Sequence, residues 1–214
     1  MGNIENEISA ALMDGDEVKV KELVEAALVE GISADDILKK GLLPAMDVIA
    51  VKFKNNEVYV PEVLMSAQAM NEGTALLKPF FAGDAIPAIG TAILGTVRGD
   101  LHDIGKNLVR MLFEGKGIKV LDLGVDVTPE KFLLAYKAEK ADVIALSALL
   151  TTTMGEMKST IDVFVEAGVR DEVVFIIGGA PVTEIVRDIS GADIYREDAA
   201  SGAEAAADAI LAKK

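Results

Sequence analysis

The fold is decided by residues 91–107, which read TAILGTVRGDLHDIGKN. Residues 91–97 form a nearly continuous apolar run, as in strands that are buried on both faces of a parallel sheet. The polar loop that begins at Arg98 leads into residues 103–114, whose apolar side chains recur at helical intervals. The stretch therefore predicts a strand, a loop and a helix in direct succession.

The same succession recurs four more times toward the C-terminus. Further strands are predicted at residues 119–123, 143–147, 173–177 and 192–195, and further helices at residues 129–140, 154–167, 182–190 and 199–211. Strands that alternate with helices predict an α/β domain with a parallel five-stranded sheet covered on both faces, of the Rossmann or flavodoxin-like type.

Toward the N-terminus the apolar period changes to three and four residues, which is the period of amphipathic helices. Residues 1–78 are expected to form four helices and hence a small bundle. Their predicted boundaries are marked by Gly31, Ser33, Gly41 and Pro61. Prolines and glycines in residues 79–90 predict a linker, so the expected domains are a helical bundle over residues 1–85 and an α/β domain over residues 89–214.

Composition narrows the classes of function. The 214 residues include 51% hydrophobic side chains and no cysteine, and the formal net charge is −14. A nucleic-acid partner is not expected, because phosphate binding needs clustered basic side chains. No apolar run is long enough for a membrane span and no signal peptide is recognised at the N-terminus, so a cytoplasmic location and no membrane partner are expected.

The loop after the first strand contains the only histidine of the chain, His102, two residues after Asp100. An imidazole can bind a metal through one ring nitrogen while the other donates to a carboxylate, which fixes the tautomer. In open parallel sheets, ligands bind beyond the carboxyl ends of the strands where the strand order reverses. An Asp-x-His pair alone is weak support for a metal site, and the alternative is a histidine that caps the following helix or is exposed in a loop.

Three segments together resemble the B12-binding pattern of cobalamin-dependent methionine synthase and of the corrinoid proteins of methanogens and acetogens. That pattern is Asp-x-His-x-x-Gly, then Ser-x-Leu, then Gly-Gly, and here it occurs at Asp100 to Gly105, at Ser147 to Leu149 and at Gly178 to Gly179. The intervening residues, 106–146 and 150–177, have the lengths typical of that family. A helical segment before the α/β domain is also typical, so the resemblance covers the whole chain.

The resemblance implies a cobalamin or related corrinoid bound base-off, with His102 as the lower axial ligand of cobalt and the cofactor's nucleotide tail inside the α/β domain. It implies that Asp100 accepts from the imidazole and that Thr153 extends the relay, where methionine synthase has serine. The other implied cofactor contacts are Gly99, Leu101, Asp103, Ile104, Gly105, Ser147, Leu149, Thr151, Gly178, Gly179, Ala180 and Ala199. In this family the bundle shields the upper cobalt face, for which Tyr59, Met65 and Met70 are candidates.

The function implied is that of a corrinoid methyl carrier. It would accept a methyl group on Co(I) from a substrate-specific methyltransferase and pass it to a second methyltransferase for a pterin or thiol acceptor, with a reductive activator protein as a third partner. The chain is too short to add a barrel-sized catalytic domain, so it is not expected to be a complete catalyst alone.

Three alternatives remain open at this point. A small subunit of an adenosylcobalamin mutase would carry the same motif, but such subunits usually lack the helical segment. A cobalamin-dependent sensor usually adds a basic DNA-binding segment, whereas residues 1–78 contain seven Lys, no Arg and fourteen Asp plus Glu. A flavodoxin-like FMN protein would share the fold and leave the His102 segment unexplained.

Overall fold

The structure is a computed structural model of the chain and describes residues 4–81 and 86–213. It divides into two compact units, Met1–Pro87 with Gly115–Gly117, and Ala88–Glu114 with Ile118–Lys214. Residues 82–85, which include part of the predicted linker and the predicted end of the bundle domain, lie outside the described residues.

The first unit is helical, as its apolar period predicts. Its helices within the described residues are α1 (Ile4–Met13), α2 (Glu17–Val29), α3 (34–54) and α4 (Val60–Leu77), followed by a short 3-10 turn at Lys78–Phe80. Buried side chains from all four helices form its core, among them Ile8, Val24, Ile49 and Leu77. The Ser33 hydroxyl accepts a hydrogen bond from the Asp36 N–H at 3.1 Å and so caps the start of α3.

Helix α3 is not uniform, and one predicted boundary inside it is wrong. It is α-helical over Ala34–Asp36, π-helical over Ile37–Leu42 and α-helical again over Leu43–Lys54. Gly41 therefore lies inside the helix and does not end it. A Cβ atom at Gly41 would lie 3.3 Å from Ile8 Cγ2, and the Ser9 hydroxyl donates to the Gly41 carbonyl at 2.6 Å. The glycine thus serves the close approach of α1.

The second unit contains five parallel strands in the order β2-β1-β3-β4-β5, which is the flavodoxin-like order. The predicted α/β class and five-stranded parallel sheet are confirmed, and the strand order reverses beside β1 as that order requires. The elements are β1 (Gly90–Thr96), α5 (Ile104–Gly115), β2 (Ile118–Asp122), α6 (Pro129–Glu139), β3 (Val143–Ser147), α7 (Gly155–Glu166), β4 (Val174–Gly178), α8 (Glu184–Ser190), β5 (Ile194–Tyr195) and α9 (Ala199–Ala212).

Strand pairing aligns the ends of the three central strands. Thr96 of β1 pairs with Ser147 of β3, and Ser147 pairs with Gly178 of β4. The loops that follow these strands consequently leave the same edge of the sheet from one row. This alignment brings together segments that are about fifty and thirty residues apart in the sequence.

One core of this unit consists largely of β-branched and aromatic side chains between the sheet and helices α6 and α7. The rings of Tyr136 and Phe164 have centroids 5.4 Å apart, and those of Phe164 and Phe175 meet edge to face at 5.0 Å. The larger cluster around them includes Ile93, Val97, Phe132, Ile144, Met157, Ile161 and Ile177. These side chains come from the continuous apolar runs and amphipathic segments that predict the strands and helices.

The last strand is shorter than its prediction, residues 192–195. Only Ile194–Tyr195 is strand. The Asp193 carboxylate accepts from the Phe175 N–H at 2.7 Å and from the Arg170 guanidinium at 2.8 Å. The Asp193 N–H also donates to the Phe175 carbonyl oxygen at 3.0 Å, so the side-chain hydrogen bonds add to backbone pairing at this edge.

Among the described residues, every helix is too short or too polar to span a lipid bilayer.

Candidate cofactor site at the carboxyl edge of the sheet

The loop after β1 is organised around the side chain of Asp100, which is fully buried. Its Oδ1 atom accepts from the His102 backbone N–H at 3.1 Å and lies 2.9 Å from Nδ1 of the His102 ring. The carboxylate thus fixes both the backbone and the imidazole of the residue two positions later. The structure brings together the Asp-x-His pair that the sequence singles out.

The other carboxylate oxygen of Asp100 faces the loop after β3. Oδ2 accepts from the backbone N–H groups of Leu149 at 2.7 Å and Leu150 at 3.1 Å. The Thr153 hydroxyl lies 2.9 Å from Asp100 Oδ2 and 2.9 Å from the Leu150 carbonyl oxygen. A hydroxyl has one proton, and the carboxylate is the stronger acceptor. One buried carboxylate therefore joins two loops.

These contacts keep Asp100 ionised and select the tautomer of His102. Burial by itself raises the pKa of Asp100, but hydrogen bonds from Leu149 N–H, from His102 and from Leu150 N–H outweigh it and hold the pKa far below its ordinary value. An ionised carboxylate can only accept, so Nδ1 of His102 carries the proton. The lone pair of a neutral His102 imidazole is then on Nε2, which is the arrangement that a metal ligand needs.

His102 itself is accessible, and so are the side chains beside it. Its side chain is 52% exposed although its carboxylate partner is 0% exposed. Large apolar side chains on the same two loops and at the start of α5 are also exposed to solvent: Leu101, Ile104, Leu149 and Leu150. An imidazole whose Nε2 atom has no hydrogen-bond partner in residues 4–81 and 86–213, among exposed apolar side chains, fits a flat, largely apolar ligand that carries a metal.

Two glycines of the predicted site, Gly105 and Gly179, have different surroundings. A Cβ atom at Gly105 would meet no protein atom within 4 Å, although a glycine in the first turn of α5 disfavours the helix. No contact among the described residues accounts for this glycine. A Cβ atom at Gly179, where φ is +127°, would lie 1.8 Å from the Ala148 carbonyl oxygen. That glycine is required by the packing of two loops, whether or not a ligand is bound.

The remaining predicted contacts lie along the same edge with different degrees of exposure. Ser147 and Gly178 are half-buried at strand ends, and Ala199 is half-buried at the start of α9. Thr151 and Ala180 are exposed in the loops after β3 and β4, and Asp103 is exposed before α5. Among the described residues, none of these side chains makes a contact that identifies a ligand.

Two residues of the site are missed by the sequence analysis. The Thr96 hydroxyl donates to the His102 carbonyl oxygen at 2.8 Å, from a fully buried position at the end of β1. The Asp126 carboxylate accepts from the Gly99 N–H at 2.7 Å. A threonine at a strand end and an aspartate in a loop carry no signal in one sequence.

A third missed feature lies behind the first turn of α5. Lys106 is 3% exposed, and its ammonium forms an ion pair with Asp122 at the end of β2. The same ammonium donates to the Asn107 amide oxygen at 2.8 Å, and Asp122 Oδ1 accepts from the Gly124 N–H at 2.9 Å. This pair joins the helix that begins beside His102 to the neighbouring strand.

A flavodoxin-like sheet that presents an accessible imidazole, backed by a buried carboxylate, at its switch point defines a cofactor-binding protein. The chain belongs to the B12-binding protein family: one sequence model of the B12 binding domain matches residues 90–209, and a second B12-binding-domain model matches residues 4–78.

Curated relatives match nearly the whole chain. It is 39% identical to a corrinoid protein of Desulfitobacterium hafniense over 94% of each chain, and 39% identical to trimethylamine corrinoid protein 1 of Methanosarcina acetivorans over 88% of each. Among solved structures, the methanol:cobalamin methyltransferase complex of Methanosarcina barkeri includes a chain that is 34% identical, with a TM-score of 0.90 and coverage of 99% of this chain and 80% of that one.

The Asp100 contacts predict a pH-dependent stability difference. Asp100→Asn presents an amide NH2 to donors, so we expect it to lower the free energy of unfolding at pH 7 by about 1–3 kcal/mol. Because the native pKa of Asp100 lies below its unfolded value, the stability it contributes is present above about pH 4 and is lost as the pH falls further. Urea unfolding at pH 7 and below pH 4 should show the gap between the two proteins narrowing with acid.

Asp103→Asn is the matched control, since Asp103 is exposed and directly follows the site's histidine. A gap for Asp100→Asn that is the same at every pH would contradict the hydrogen-bonding account.

We expect Gly179→Ala to lower the free energy of unfolding by more than backbone strain alone would, because the new Cβ atom also clashes with a neighbouring loop. Gly168 also has a positive φ, +70°, but a Cβ atom there would meet nothing within 4 Å. We expect Gly168→Ala to cost about 1–2 kcal/mol and Gly179→Ala to cost about 1–3 kcal/mol more. Chemical unfolding of both variants checks this, and equal losses would show that the Ala148 contact relaxes freely.

Proposed function

We propose that the protein is a corrinoid carrier that holds its cofactor base-off, with Nε2 of His102 as the lower axial ligand of cobalt. The observation that carries the proposal is the pairing of an exposed imidazole with a buried carboxylate, 2.9 Å from its Nδ1 atom. This pairing leaves Nε2 directed away from the protein's own acceptor. Membership in the B12-binding family supports it.

The role of the protein's own residues follows from the same contacts. A bound corrinoid supplies a cobalt centre that can take up and release a methyl group. Asp100 keeps the proton on Nδ1, and the N–H groups of Leu149 and Leu150 keep Asp100 ionised. The Thr153 hydroxyl adds a further donor to the Asp100 carboxylate. These hydrogen bonds thus adjust the basicity of the His102 imidazole as a metal ligand.

We propose that the nucleotide tail of the cofactor lies along the edge where β1, β3 and β4 end. Ser147, Leu149 and Thr151 would contact it from one loop, and Gly178, Gly179 and Ala180 from another. Gly99, Leu101, Asp103, Ile104 and Gly105 would contact the cofactor near His102, and Ala199 would do so from the start of α9. The exposed apolar side chains and the open space beside Gly105 support this placement.

The proposed role is methyl transport between separate enzymes. Relatives are named as trimethylamine and dimethylamine corrinoid proteins, and a structural neighbour forms part of a methanol:cobalamin methyltransferase complex. By analogy we propose a substrate-specific methyltransferase, a methyltransferase for a pterin or thiol acceptor, and a reductive activator as partners.

The helical unit, residues 1–85 in our proposal, would protect the upper face of the cofactor. Of its three candidate side chains, Tyr59 and Met65 are 64% and 52% exposed and are available for a contact. Met70 is 6% exposed and belongs to the helical core, so we assign it a packing role.

His102→Ala tests the ligand assignment. We expect wild-type protein reconstituted with hydroxocobalamin to give a base-off, His-on absorption spectrum, and the variant to retain its helical circular dichroism but lose the lower-ligand signature. Asp208→Asn, at an exposed position near the end of α9 and outside the proposed cofactor contacts, should leave the spectrum unchanged. An identical cobalt spectrum for His102→Ala and wild type would remove the assignment, and so would copurification with FMN alone.

Methyl transfer tests the carrier role separately. Reduced holoprotein mixed with methyltransferases encoded near its gene and a ¹³C-labelled methyl donor should acquire the label, which NMR detects on the cofactor. His102→Ala loaded with the same corrinoid should be labelled more slowly, because the lower ligand tunes the metal. Intact His-on protein that no donor labels would contradict the carrier role while leaving cofactor binding in place.

A further inference from the structure

We infer that Asp126, in the loop between β2 and α6, is a positioning residue that sets the loop carrying His102. The inference rests on the proposed function, because it concerns how strongly His102 binds cobalt. Asp126 is exposed and lies 24 residues from His102 in the sequence. Within the described residues, its hydrogen bonds go to neither the His102 imidazole nor the Asp100 carboxylate. Asp126 instead acts through the backbone of residues 99 and 100, which leads to His102.

Two hydrogen bonds attach Asp126 to that backbone. Its carboxylate Oδ1 accepts from the Gly99 N–H at 2.7 Å, and its own N–H donates to the Asp100 carbonyl oxygen at 3.0 Å. The Asp100 N–H donates to the Val97 carbonyl oxygen at 3.2 Å. The two residues that turn the chain toward His102 are therefore held from one neighbouring loop.

The anchoring loop is itself fixed to the end of β1. The next residue, Val127, is fully buried, and its N–H donates to the Thr96 carbonyl oxygen at 3.0 Å. Thr96 is the residue whose hydroxyl donates to the His102 carbonyl oxygen. Asp126 is thus attached through the buried Val127 to the end of β1, beside the loop that it holds. A residue that positions a functional site needs such support.

The backbone of Asp126 adds an independent indication. Its φ is +52°, and the only other non-glycine residues with positive φ in the described ranges 4–81 and 86–213 are Asn56 and Lys140. Asn56 follows the end of α3, and Lys140 caps the end of α6, where left-handed residues are common. Asp126 ends no helix. Its conformation costs free energy, and strain of this kind concentrates at functional sites.

Substitutions at position 126 can separate the effect of backbone strain from the effect of the side-chain hydrogen bond. Glycine would adopt this φ without strain, but it lacks a side-chain acceptor for the Gly99 N–H. Asparagine keeps an acceptor oxygen and tolerates positive φ well. Alanine keeps the strain and loses the acceptor. A series of three variants therefore distinguishes a positioning role from a simple turn requirement.

The experiment uses the full-length holoprotein reconstituted with cobalamin, with cyanide as a competitor that displaces the lower ligand from cobalt. For Asp126→Ala and Asp126→Gly we expect the cyanide concentration that removes half of the His-on spectrum to fall roughly 2- to 10-fold, the worth of one hydrogen bond. Asp126→Asn should lie near wild type. In the cofactor-free protein, amide hydrogen exchange in residues 98–103 should accelerate in the same two variants.

Lys140→Gly is the control, because it removes a residue with φ of +51° from the same unit at the end of α6. It should leave the cyanide midpoint unchanged.

An Asp126→Gly protein that matches wild type in cyanide midpoint and hydrogen exchange would overturn the inference and reduce Asp126 to a turn residue. If Asp126→Ala does not fold, the Gly and Asn pair decides the question. A wild-type protein without any His-on spectrum would overturn the proposed function and this inference together, whereas a His-on wild type with unaffected variants would overturn the inference alone.

Discussion

The structure depends on the burial of one charge, the carboxylate of Asp100. A carboxylate without solvent is unstable unless hydrogen bonds replace its water, and Asp100 accepts bonds from His102, Leu149, Leu150 and Thr153. Those donors belong to loops after two different strands. The loops must therefore converge whenever the protein is folded, and the imidazole is oriented before a ligand arrives.

The convergence is possible because of the sheet register. Thr96, Ser147 and Gly178 lie in one row across β1, β3 and β4, so their loops start level with one another. Gly179 then passes so close to the Ala148 carbonyl oxygen that no larger residue fits without movement. The edge is formed by the ends of buried strands, by the buried carboxylate of Asp100 and by Gly179. On it the His102 imidazole and several apolar side chains remain exposed. Such an edge leaves the imidazole accessible to a cofactor.

Much of the fold and part of the site are predictable because they depend on local patterns. Continuous apolar runs predict five strands, helical periodicity predicts the helices between them, and both follow from burial of one face or two. The spacing of His102, Ser147 and Gly178 is a property of the sequence alone, as is the resemblance it supports. Gly41 is wrongly predicted as a helix end because glycine also serves close helix packing, and only the contact with α1 distinguishes the two uses.

By itself, then, the sequence determined the order of elements, the parallel sheet and the position of the candidate metal ligand, since periodicity and spacing are written along the chain. Tertiary structure alone decided which groups support that ligand. Thr96 and Asp126 are ordinary residues whose hydrogen bonds exist only because β1 and the loop after β2 lie side by side. The reason for Gly179 is likewise a contact with Ala148, distant in sequence. Such partners are chosen by three-dimensional proximity, which no local pattern records.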